Sequence, residues 1–392
     1  MSPLPSETST DHALWRVPTV SIQQLLSASC CRVVDLRAPA EFVQDHVPGA
    51  VNHHLFDDLE RALVGTLYAK ASPEEAFTEG RARVIARIET LVAELAHCVG
   101  REAPDADLEG WVRRLTAGGL ASVTQALAPL PEPNLPDGSL IVHCWRGGLR
   151  SSSVTALLRA VGWNDVFVLE GGYKSYRTHV LSALDDWRAP RTITLRGCTG
   201  VGKTLLLREI ERLRPGWTLD LEGAAGHRSS ILGMVGLEPC NQKTFDSRIA
   251  TRLRAGMPGP MVVEGESRKV GDSIVPKNVW DALQAGAQLN LTASVDRRVQ
   301  VLIEDYLATD ENRAPLRQQL PFIEERLGAS KWSGTLTGLL DTGQEKKLVA
   351  ILLDEYYDPL YKHSEIGREY AGTIDTTDGL PAAARIVDWI ES

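Results

Sequence analysis

Two short stretches of this chain combine reactive side chains with glycines at chemically useful spacings. The first is His143-Cys144-Trp145-Arg146-Gly147-Gly148-Leu149-Arg150-Ser151. Glycines after a cysteine let the backbone curl, so that successive N–H groups point at one sulfur. Arg146 and Arg150 add positive charge, and a helix starting here adds its positive end. Each effect favours thiolate over thiol, and the thiolate is the nucleophile. A lone cysteine is more often a small core residue; the loop around Cys144 reverses that weighting. The other cysteines, Cys30, Cys31, Cys98, Cys198 and Cys240, form no CxxC pair, so zinc or dithiol chemistry lacks support. Cys30 and Cys31 read as structural.

The second stretch, Gly197-Cys198-Thr199-Gly200-Val201-Gly202-Lys203-Thr204, fits the P-loop pattern G-x-x-x-x-G-K-[ST]. Its N–H groups would cradle phosphate oxygens. Lys203 would neutralise terminal phosphates, and the Thr204 hydroxyl would reach a magnesium ion. The bland alternative, a glycine-rich turn with a solvated lysine, loses ground because a strand precedes the loop and a helix follows. A second acidic strand is less clear. Residues 261–264 (MVVE) resemble such a strand with Glu264 in place of aspartate, and Glu266 is an alternative metal partner. Two further clusters follow strand ends: Asp220, Glu222, His227 and Arg228, then Glu266 and Arg268. In open α/β sheets ligands bind there, and this mixture suits a polyanionic substrate; a surface salt bridge is the competing role for each.

The elements that must position these loops are legible. Strands are expected at 32–36, 139–143 and 165–169, with a helix over 151–161 opened by serines that can cap it. This is a parallel βαβ arrangement. Residues 56–135 exceed what one crossover needs and read as a mainly helical insertion. After a linker near 185–190, strands at 192–196, 217–220, 260–264, 287–292 and 372–375 alternate with helices at 203–213, 242–254, 295–308, 345–357 and 380–391. The expectation is an α/β protein of two domains: a parallel-sheet domain over 15–186 with the insertion, then a P-loop α/β domain over 190–392. Residues 1–14 read as a disordered lead-in. The helical run LLDEYYDPLY (352–361) reads as packing.

The 392 residues are 43% hydrophobic and 24% charged, an ordinary globular composition. No apolar stretch reaches the length of a spanning helix and no signal pattern opens the chain, so a cytoplasmic protein without membrane contact is expected. A formal net charge of −9 excludes a uniformly basic nucleic-acid binder but not a local basic face.

CWRGGLRS resembles a rhodanese active-site loop, and Asp35-Leu36-Arg37, Glu41-Phe42 and His46-Val47-Pro48-Gly49-Ala50-Val51-Asn52 resemble that family's first half. Taken with ERALVGTLY (60–68), EGGYK (170–174), GCTGVGKT, DLEGAAGHRSS, EGESRKVG and EYYDPLY, the chain is similar to bacterial tRNA 2-selenouridine synthases over about residues 20–390. One departure is His143, where some members carry a second cysteine; this makes Cys144 the working position. The resemblance implies a tRNA substrate with 2-thiouridine at the wobble position. It also implies sulfur-to-selenium exchange using selenophosphate, with selenophosphate synthase as the donor source, and an S-geranylated intermediate made from geranyl diphosphate. It gives Cys144 the role of handling selenium as a perselenide, or else of acting on the departing thiol. Arg146, Gly147, Gly148 and Arg150 form the cradle. Gly197, Gly200, Gly202, Lys203 and Thr204 hold the diphosphate, with Mg2+ at Thr204 and Glu264. Trp145, Tyr173, Lys174, Tyr176 and Arg177 are candidates for base stacking, with core or surface packing as the competing role. The residues alone also suit a rhodanese sulfurtransferase fused to an ATP-dependent kinase or NTPase. A non-catalytic binding module fits less well, because the cysteine loop is intact.

Overall fold

The apolar runs at Arg32–Asp35, Leu140–His143 and Val166–Leu169 in the first domain, and at Thr192–Arg196 and Met261–Glu264 in the second, become strands buried almost throughout, as parallel strands covered by helices must be. The computed structural model describes residues 15–265 and 267–392; the lead-in 1–14 and Glu266 lie outside the described residues. The chain forms two compact units that divide between His179 and Val180, within the helix Gly172–Asp186.

In the first unit, Ala50–Asn52, Arg32–Asp35, Leu140–His143, Val166–Leu169, Val17–Val20 and Pro129–Pro131 lie side by side in that order, all parallel. The order brings Asp35 opposite His143 and puts Cys144 just past a central strand's carboxyl end. The insertion is helical at Asp58–Lys70, Pro73–Val99, Leu108–Leu115 and Gly119–Ala126. It is no appendage. Ile88, Leu91, Val92 and Leu95 of the long helix share a core with Val34, Leu140 and Val142 of the sheet. The insertion ends in the strand Pro129–Pro131, which pairs with Val17–Val20; neither strand is among those expected. Pro18 and the two prolines of the edge strand hide them, since proline cannot donate to a ladder.

The helix after the cysteine loop starts earlier than expected. It spans Leu149–Ala160, and Gly148 is its N-cap, with no side-chain cap bond. The serines therefore do not cap it. Ser151 lies in its first turn.

The second unit has a parallel sheet ordered Gly372–Asp375, Ala287–Thr292, Thr192–Arg196, Met261–Glu264, Thr218–Leu219. Lys203–Leu213 and Gln242–Arg254 form as expected. The expected helix 345–357 is interrupted. It is α-helical over Glu345–Ile351, turns π-helical over Leu352–Tyr357, and resumes as Asp358–Ser364 with a proline in its first turn. Two helices outside the expected set, Arg313–Trp332 and Thr335–Asp341, join it in a helical layer around Leu320, Ile323, Leu336 and Leu348. Among the described residues no helix is long and apolar enough to cross a membrane.

Candidate functional site

The cysteine loop is clamped from one side by the EGGYK segment. Tyr173 N–H donates to the Cys144 carbonyl and Lys174 N–H to the Trp145 carbonyl, both at 2.9 Å. This approach leaves no room for side chains. A Cβ on Gly172 (φ +56) would lie 2.4 Å from the Cys144 carbonyl oxygen, and one on Gly147 (φ +65) 2.6 Å from that of Leu169. Gly148 has an ordinary φ of −93 and open space around it, so the backbone does not demand glycine there.

Beneath the loop lies a buried polar layer. Arg37 grips Asp35 through two nitrogens at 2.9 and 2.6 Å, donates to the Asp45 carbonyl, and stacks on the Tyr173 ring at 3.8 Å. The Tyr173 hydroxyl donates to Asp45 at 2.8 Å. His143 is fully buried 3.7 Å from Asp35. Burial pushes its pKa down despite the Asp35 carboxylate, so the ring is neutral at pH 7. Its contact is with the Cys144 carbonyl, at 3.3 Å. Tyr173 and Tyr176 are 1% and 2% exposed; both are packing residues, and neither can stack on a base in this form.

Cys144 is 3% exposed. Burial alone would raise its pKa. The Arg150 charge, the Ser151 hydroxyl 3.3 Å away, and the N–H groups of Ser151 and Arg146 outweigh burial and hold the thiol below its ordinary value. Arg146 thus contributes its backbone, while its side chain is exposed. Ser151 is a partner of the thiol that was not among the site residues expected from the sequence. Its position seven residues on, at the first helical turn, was the available signal. Because the Ser151 hydroxyl lowers the pKa, Ser151→Ala moves it up. A hydrogen bond to a charged group is worth about 1.5 kcal/mol, roughly tenfold in the thiol's ionisation constant. Iodoacetamide labelling of Cys144 should slow at pH values below the thiol's pKa, with the rate–pH profile displaced to higher pH by about one unit. An unmoved profile would rule out the serine as a thiolate partner.

In the second unit the P-loop is braced on several sides. Gly197 (φ +141) passes so close to the next strand that a Cβ would lie 2.4 Å from the Leu291 carbonyl oxygen. Its N–H donates to the Tyr361 hydroxyl at 2.6 Å. Arg298 donates to the Thr199 carbonyl at 2.8 Å and pairs with Asp358 at 3.0 Å. EYYDPLY is therefore more than general packing, because Asp358 and Tyr361 fix the phosphate loop. Lys203 Nζ lies 2.9 Å from the Gly197 carbonyl. Thr204 donates to Glu222 at 2.9 Å, and Glu222 N–H donates to Glu264 at 2.9 Å. The carboxylate beside Thr204 is thus Glu222; Glu264, fully buried, supports it from behind. Burial pushes the Cys198 thiol up, which disfavours its thiolate.

The loop faces a cavity of about 1180 Å³ whose walls include Lys203, Thr204, Glu222, His227 and Arg228. Ser229, between Arg228 and the cavity's Ser230, holds φ at +43, the only positive value off glycine among the described residues; such strain concentrates at ligand sites. Asp220 is elsewhere employed, capping Leu221–Ala225 through Gly223 N–H. Arg268 is exposed and does not line the cavity.

Residues 190–379 match the family described as the tRNA 2-selenouridine synthase AAA domain, and 113–179 match the rhodanese-like domain. A tRNA 2-selenouridine synthase of Cupriavidus pinatubonensis is 31% identical, the alignment covering 91% of this chain and 94% of that one. This chain belongs to the tRNA 2-selenouridine synthase family. Relatives of the same description from Pseudomonas syringae (31% identity, 87% of this chain, 91% of the relative) and Cupriavidus necator (30%, 96%, 98%) align as fully. The family match spans both domains, so the Cys144 loop and the P-loop are parts of one tRNA 2-selenouridine synthase architecture.

Proposed function

We propose that this chain replaces sulfur by selenium in the wobble 2-thiouridine of tRNA, by way of an S-geranylated base. The observation that carries the reading lies in the P-loop cavity. Its wall carries the cations Lys203, Arg228 and Arg326 beside the apolar Val301, Leu302 and Leu360 and the rings of Tyr306 and Tyr357, with Arg228 lying over the Tyr306 ring. A diphosphate joined to a hydrocarbon, as in geranyl diphosphate, suits this mixture of cations and apolar groups. The P-loop amides and Lys203 take the diphosphate and stabilise the charge that grows on it as the carbon–oxygen bond breaks. The base's sulfur takes the geranyl carbon.

Mg2+ fits this site through the hard oxygens of Thr204 and Glu222, the one or two protein ligands the ion usually takes beside phosphates. When bound it would neutralise diphosphate charge. Among the described residues no cluster of three or more His, Cys, Asp or Glu could hold a metal.

Electron counting directs the role of Cys144. Taking selenium from selenophosphate as a perselenide would leave the P–Se electron pair on phosphorus, a two-electron reduction that this reaction does not otherwise require. A displacement at carbon balances. The Cys144 thiolate attacks C2 of the S-geranylated base, and geranyl thiolate leaves with the C2–S pair. The selenium of selenophosphate then displaces Cys144, and water cleaves the P–Se bond to give phosphate. The low thiol pKa serves both attack and departure. Selenophosphate synthase is the matching donor source.

Mass spectrometry of tRNA nucleosides from cells with and without the gene tests the function. Loss of 2-selenouridine on deletion is expected; an unchanged nucleoside profile would overturn it.

A further inference from the structure

We infer that the helical insertion forms a chamber beside the Cys144 loop that receives the geranyl chain departing on sulfur. This deepens the proposed function and rests on its S-geranylated intermediate. The chamber has a volume of about 180 Å³ and is lined by Phe56, Val84, Ile88, Val112, Leu115 and Leu157 among others. An apolar cavity of about 150 Å³ stays dry and takes up benzene, so this one suits a short hydrocarbon chain. Its wall includes Tyr68 and Leu149, which are 67% and 37% exposed, so it reaches the surface where the helix after the cysteine loop begins.

Two features go beyond a packing defect. The first is charge. Arg81 and Arg150 both line this apolar chamber, and Arg81 Nε and Arg150 Nη1 are buried without a hydrogen-bond partner. Buried guanidinium N–H groups left unmatched are costly. A ligand with a hydrocarbon tail and an anionic head meets both demands, and a geranyl thiolate is such a molecule. Arg150 also acts on Cys144, so one guanidinium serves the thiol and the chamber.

The second feature is Gly80, inside the helix Pro73–Val99 and on the chamber wall. A Cβ there would meet only ordinary contacts, 3.5 Å from Phe56 and 3.9 Å from Val64. A helix-interior glycine is destabilising relative to alanine. No close approach requires it here; its effect is to leave space open.

The test is calorimetric titration of the full chain with geranyl thiol under reducing conditions. One equivalent should bind. Gly80→Leu fills the chamber and should weaken binding at least about tenfold without lowering Tm. Arg81→Gln, which removes charge and adds no volume, should also weaken it and covers the case in which the leucine variant fails to fold. Binding unchanged in both variants overturns the site. Decanoate, with a similar tail and a carboxylate head, is the second arm. If it binds more tightly than the thiol, the chamber is a fatty-acid site and the assignment fails. None of these outcomes depends on tRNA. Absence of the S-geranylated base from cellular tRNA would instead overturn the parent reading, leaving the binding result standing.

Discussion

Lys203→Ala abolishes geranyl transfer to tRNA, lowering kcat/KM on the order of a thousandfold. Removing one preorganised group from developing negative charge costs about 3–4 kcal/mol, and Lys203 is the one cation the P-loop itself supplies. Its ammonium lies 2.9 Å from the Gly197 carbonyl of the loop proposed to hold the diphosphate. The variant should still convert tRNA geranylated beforehand into selenouridine tRNA, because that step uses the other unit. The measurement is single-turnover transfer from labelled geranyl diphosphate, followed by selenation of pre-geranylated tRNA. Geranylation at the normal rate would remove the diphosphate from the P-loop.

Cys144→Ala gives the reverse pattern. Geranylation continues and S-geranylated tRNA accumulates, while selenium incorporation falls by at least about a thousandfold, as expected when a nucleophile is lost. Nucleoside mass spectrometry of reactions containing selenophosphate follows both species. The arrangement around the sulfur motivates the size of the effect: the Ser151 hydroxyl and two backbone N–H groups hydrogen-bond this one atom and the Arg150 charge acts on it, while the neutral, buried His143 is not placed to replace it. Selenium incorporation at the wild-type rate would make Cys144 a structural residue.

The two variants together also separate this reading from a sulfurtransferase joined to an ATP-dependent enzyme. That alternative expects phosphate release or phosphoryl transfer from ATP without tRNA, and no geranylated tRNA in either variant. The present reading expects geranylation to be lost with Lys203 and selenation with Cys144.

The sequence by itself determined the two loops, the parallel α/β class and most strand positions. These are local matters. A glycine pattern between a strand and a helix specifies a phosphate loop within eight residues, and short β-branched runs specify buried strands. The helices 203–213 and 242–254 were legible for the same reason, because their apolar spacing lies within their own span. Only the tertiary structure decided which side chains complete each site. Tyr361 reaches Gly197 across 164 residues, and Arg298 reaches Thr199 across 99; no periodicity encodes such pairs. Glu222 rather than Glu264 stands beside Thr204 because the short helix after Thr218–Leu219 brings it there. Ser151 was in plain view, yet its role follows from a helix that begins at Leu149 and turns its hydroxyl to the sulfur. The insertion was legible as helical from its pattern. That it packs onto the sheet, and encloses an apolar chamber with two unmatched guanidinium N–H groups, depends on contacts between helices far apart in the chain.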